Sequence, residues 1–246
     1  MPHENLSELR KHKLNLSTLR KEELKTTRKS KEEFKKELSF VEHLLNVFLK
    51  TFKVLHVKVH EGREFTDSED ACFRISYRIF RIVRWAFNSS LEGYYDVSMA
   101  LVRIAFENYL LLVYLSESDE EEAKLWFKGK KFAPTFLRNH VDYRDSIYRD
   151  LSEYVHSSFR STFAFTKTEK EEQFGTLGEY DREQFKNVLF LMVMTLFTTM
   201  VWLFCAIPEI LASEEWRSYS MDGLIEVAKY IRAETSRTKG KKEAKS

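Results

Sequence analysis

From Val188 to Ile207 the chain reads VLFLMVMTLFTTMVWLFCAI, twenty residues without a charge. A run of that length meets the criterion for a membrane-spanning helix, and it equally suits a helix that is apolar all round because a bundle surrounds it. In either role it is helical. Thr195, Thr198 and Thr199 cluster at its middle, its flanks carry mixed charge, and no second such run accompanies it. These features favour a buried rod, with a single membrane span over 188–207 as the alternative.

The rest of the chain points the same way. Only 7 glycines and 3 prolines serve 246 residues, too few for the many tight connections of an all-β or α/β protein. The expected fold is therefore all-α: a helical bundle of about six to seven helices around a central apolar helix. With 43% hydrophobic residues the chain can bury a sizeable core.

The net charge of +2 conceals an asymmetry. Residues 1–36 and 229–246 each carry about +5 and the middle about −8, so two basic ends flank an acidic body. The expected division is a charged N-terminal tail over 1–29 with room for one short helix, a bundle domain over 30–233, and a basic C-terminal tail over 234–246. Cys72 and Cys205 lie in apolar helical runs, which suits reduced thiols in a cytoplasmic protein better than a disulfide or zinc framework. The N-terminus lacks an apolar core of the kind a cleaved signal peptide needs.

Boundaries follow from capping chemistry. Ser30 and Glu33 in SKEE form a capping-box pattern opening a helix to about Val59, closed by Gly62. TDSE at Thr66 opens a second, to about Phe87. A third spans roughly 91–115, and a fourth begins in SDEEEAKLWF, where acids suit a helix N-terminus. Pro134 at a first turn opens a fifth helix from about Thr135 to His156. The apolar helix fills 181–206, Pro208 interrupts it, and a last helix covers about 221–233.

Three constellations could carry chemistry. In the second helix Arg74, Arg78, Arg81 and Arg84 fall within an arc of about 120°, with aromatics Phe73, Tyr77 and Phe80 nearby. No acid occurs from Cys72 to Ser90. Such a ridge can grip phosphates, unless the acidic ESDEEE run or Glu92 neutralises it. In the third helix Arg103 and Glu107 stand one turn apart among apolar residues. They read either as an internal ion pair stitching this helix to a neighbour or as groups orienting a catalytic histidine. In YRDLSEYVHSSF, Arg149 and His156 lie within about 20° on one helical face, with Ser152, Glu153 and Tyr154 between them. A guanidinium can stabilise a phosphorane while an imidazole moves protons, cleaving RNA through its own 2′-hydroxyl without a metal. The plain reading is a polar helix face.

RDLSEYVH fits the Arg-x(4–6)-His pattern of the HEPN superfamily, including the polar residue after the arginine, here Asp150. RIAFENYLLLVYL followed by YRDLSEYVH also resembles a group of bacterial and archaeal helical proteins sharing an Arg-x-x-x-Glu helix and a Leu-Ser-x-Tyr-x-His stretch. The resemblance covers about residues 95–160. It implies a dimeric helical bundle acting on or binding RNA, in the manner of toxin or defence ribonucleases, with Arg149 and His156 as the reaction pair at the dimer interface. Arg103 and Glu107 would support them. The alternatives are a non-catalytic helical scaffold and the membrane-anchored protein.

No cofactor or metal is expected. Glu153 and His156 are half of a di-iron signature whose second half is missing. His56 and His60 in HVKVH lack the glutamate of a zinc protease, and no glycine-rich phosphate loop is found.

Overall fold

The computed structural model describes residues 16–141 and 180–243, with side chains up to Ser236. Among the described residues the protein is all-helical, with eight α-helices, one 3-10 turn and no strand. In chain order these are α1 (Leu16–Glu33), α2 (Lys35–His60), α3 (Asp67–Leu91), α4 (Tyr95–Glu117), α5 (Glu120–Phe127), α6 (Pro134–His140), α7 (Arg182–Ala206), the 3-10 turn Pro208–Ala212, and α8 (Glu214–Glu243).

Several ends are set by the expected chemistry. Gly62 closes α2 at φ 93°, a left-handed conformation that side-chain-bearing residues avoid. Thr66 Oγ1 accepts from Glu69 N–H at 3.2 Å while Glu69 Oε2 accepts from Thr66 N–H at 3.0 Å, completing the capping box of α3. Asp119 caps α5, Asp181 caps α7, and Pro134 occupies the first turn of α6.

The start of the bundle differs from expectation. Ser30 does not cap a helix; it is buried inside α1, which begins at Leu16 within the stretch read as a charged tail. The chain kinks at Phe34, φ −118° and ψ 33°, yet Phe34 N–H still reaches Ser30 O at 3.1 Å and Leu38 N–H reaches Phe34 O at 2.9 Å. The kink drops the Phe34 ring edge-on against Phe185 of α7, with centroids 5.2 Å apart. Burying an aromatic ring is worth more than one cap, so tertiary packing overrides the local signal. Polar bonds hold α1 in place: Thr27 Oγ1 donates to Leu91 O at 3.1 Å and Tyr94 Oη donates to Glu23.

A second difference bears on function. The helix expected to run from Thr135 to His156 ends at His140. Val141 is extended, φ −103° and ψ 126°, and its β-branched side chain enters the core. His140 closes the turn, Nδ1–H donating to Phe136 O at 2.8 Å.

Packing joins distant parts of the chain. Helices α3 and α4 lie along each other, and α7 contacts α2, α3, α4 and α8. The face of α7 carrying Val188, Met192, Leu196, Thr199 and Leu203 is buried at three- and four-residue spacing, while Val201 and Cys205 on its other side are exposed. Both α4 and α7 are long and apolar enough to cross a membrane, where one such segment was expected, and half of each apolar window is buried inside the protein. The second arises because the apolar residues of α4 outweigh the charges of Arg103 and Glu107 in the average hydropathy. Trp216, at the start of α8, is fully buried and donates Nε1–H to Thr51 Oγ1 at 2.9 Å. Thr51 in turn donates to Val47 O, so no polar atom of this contact is wasted.

Candidate functional site

The four arginines of α3 all face solvent. The inner face of the same helix, Ile75, Ile79, Ile82 and Ala86, is buried, and this fixes the orientation of the arginine arc. From Arg74 to Arg84 the ridge covers about 15 Å along the helix axis. Arg74 is partly committed, its Nε held by both Asp70 oxygens at 2.9 Å one turn earlier. Arg78, Arg81 and Arg84 form no ion pair with any described residue.

Three acids of the ESDEEE run are engaged elsewhere. Glu120 Oε2 accepts from Ser68 N–H at 3.1 Å, Glu121 pairs with Lys124 at 2.7 Å, and Glu122 pairs with Lys130 at 2.8 Å. The ESDEEE run thus serves the start of α3 and its own helix. Among the described residues only Asp70 pairs with an arginine of the ridge.

The aromatics sort by exposure. Phe80 turns into the core, and Phe73 packs edge-on to Phe52. Tyr77 stays 46% exposed, and Trp85 is 55% exposed. The guanidinium of Arg81 lies over the Trp85 ring, 5.6 Å from its centroid, within cation–π range. Sequence reading missed Trp85. Its signal was present: eleven residues after Arg74, it falls about 20° from it on the helical wheel, inside the arginine arc. The result is an outward surface of three guanidinium groups without an ion pair among the described residues and two partly exposed rings. Arginine forks suit phosphate oxygens, and ring faces suit unstacked bases.

Arg103 and Glu107 sit on α4, their side chains 12% and 26% exposed, with Arg103 Nε donating to Glu107 Oε1 at 3.1 Å. The two pair with each other along one helix at i,i+4 spacing, whereas the expected ion pair joined this helix to a neighbour. Arg149, His156, Ser152, Glu153 and Tyr154 lie outside the described residues.

Other titratable groups offer little chemistry. His56 and His60 are exposed at the end of α2, with their Nε2 atoms 3.1 Å apart. Among the described residues no three metal-ligating side chains gather. The Cys72 thiol is pushed up to about 12, chiefly by burial and then by Glu69 and Glu120, so it stays protonated and unreactive. Comparison with family models, with curated proteins and with solved structures returned no match.

Proposed function

We propose that this protein binds RNA through the outer face of α3 and is a HEPN-like helical protein of the ribonuclease type. The observation that carries the reading is the open ridge: Arg78, Arg81 and Arg84 without a carboxylate partner among the described residues, beside an exposed Trp85. Three nearby acids, Glu120, Glu121 and Glu122, bind Ser68, Lys124 and Lys130 instead of these arginines. In this account Arg149 stabilises charge on the cleaved phosphate and His156 moves the proton, in a dimer without metal. Arg103 and Glu107 support that pair, and α7 is the central rod of the bundle.

The experiment is incubation of the full chain with labelled single-stranded RNA in chelator. The expected result is binding and slow cleavage, with His156→Ala retaining binding and losing cleavage. Equal cleavage by wild type and His156→Ala removes the catalytic assignment, and absence of binding removes the whole reading.

A non-catalytic scaffold is the second reading. It is favoured by the ion pair between Arg103 and Glu107 along one helix, a contact that is structural in itself.

A further inference from the structure

A cavity of about 470 Å³ lies between the C-terminal half of α2, the 3-10 turn and the first turn of α8. That volume suits a small organic ligand. Its base is fixed, because Trp216 is locked by its bond to Thr51. One wall is also fixed: Arg63 donates to Glu69 at 2.7 Å and to Glu209 at 3.0 Å, tying the end of α2 to α3 and to the 3-10 turn.

The charges lining the cavity are unevenly placed. Glu209 shares Arg63 with Glu69, and Glu61 pairs with Lys58 at 3.2 Å. Lys50 and Lys53 remain, three residues apart on α2, against the single carboxylate of Glu215. Lys50 Nζ rests 3.2 Å from the centroid of the Tyr219 ring, a contact that holds the ammonium without neutralising it. Lys53 makes no ion pair with a described residue. Val57 and Ala212 give the cavity an apolar side.

We propose that this cavity binds a small organic anion with an aromatic or aliphatic body, its anionic head between Lys50 and Lys53 and its body against Val57, Ala212 and Trp216. The neighbouring ammonium groups of Lys50 and Lys53 select against cations, and the apolar side gives an organic anion an advantage over a bare inorganic one. This site stands apart from the α3 ridge and does not depend on RNA binding.

Isothermal titration of the full chain with phenyl phosphate tests it, alongside inorganic phosphate and benzylamine. Phenyl phosphate binds, inorganic phosphate binds at least about tenfold more weakly for want of apolar contact, and benzylamine does not bind. Lys53→Gln weakens phenyl phosphate about tenfold by removing one of two cations. Ala212→Trp, at an exposed position, fills the cavity and abolishes binding while the helical circular dichroism signal is kept. No heat with phenyl phosphate overturns the proposal. So does benzylamine binding as tightly as phenyl phosphate, or unchanged affinity in Ala212→Trp.

Discussion

The guanidinium of Arg81 lies over the indole of Trp85 one turn further along α3, and the indole remains 55% exposed. Nothing in the core needs this contact. A large aromatic side chain left in water beside cations that lack a carboxylate partner among the described residues is a poor choice for stability and a good one for holding a nucleotide. Trp85→Ala should therefore leave the thermal transition within about 2 °C, as surface changes do, while single-stranded RNA affinity falls about tenfold. Paired thermal melts and fluorescence polarisation check both halves.

The bond between Trp216 Nε1 and Thr51 Oγ1 ties α8 to α2 in a fully buried setting. Thr51→Val keeps the shape and removes the acceptor, leaving a buried N–H without a partner. The expected loss is about 1–3 kcal/mol in urea unfolding at constant m value. No loss would mean that the indole finds another acceptor.

Gly223 of α8 packs directly on the His43 ring of α2, and a Cβ there would overlap the imidazole. Gly223→Ala gains about 1 kcal/mol of helix propensity but overpacks the seam by up to about 3 kcal/mol, so the net change is destabilising. Adding His43→Ala should relieve the overlap and recover much of the loss. A double-mutant cycle by urea unfolding shows the coupling.

His43 also sets a pH dependence. Burial lowers its proton affinity below the ordinary 6.5, a backbone contact with Ser220 opposing this in part. The ring also stacks on Tyr219, whose π system already holds Lys50. The unfolded chain then binds the proton more readily than the folded one. The stability from neutral His43 is present above the unfolded value of about 6.5 and is lost as pH falls through the window below it. Urea unfolding at pH 7.5 and 5.5 should show wild type weakening more than His43→Leu.

Much of this was legible in sequence, and the failures share a cause. The TDSE box, Pro134, and the caps of α5 and α7 act through neighbours in the chain, so spacing reveals them. Ser30 carries the same kind of signal and is overruled, because Phe34 gains more by reaching Phe185 than Ser30 gains by capping. Val141 likewise leaves the helix to enter the core, which no local pattern announces. On α3 the wheel located the arginine arc. It could not tell whether ESDEEE would neutralise it, since that depends on Ser68, Lys124 and Lys130 taking those carboxylates first.

The central claim, that the α3 ridge grips RNA phosphates, is tested most directly by the salt dependence of binding. Affinity for a short labelled single-stranded RNA is measured over a range of potassium chloride for wild type and for Arg78→Gln/Arg81→Gln/Arg84→Gln. Each phosphate contact contributes about 0.7 to the slope of log affinity against log salt, so the triple variant should bind more weakly with a slope shallower by about 2. An unchanged slope and affinity would contradict the account.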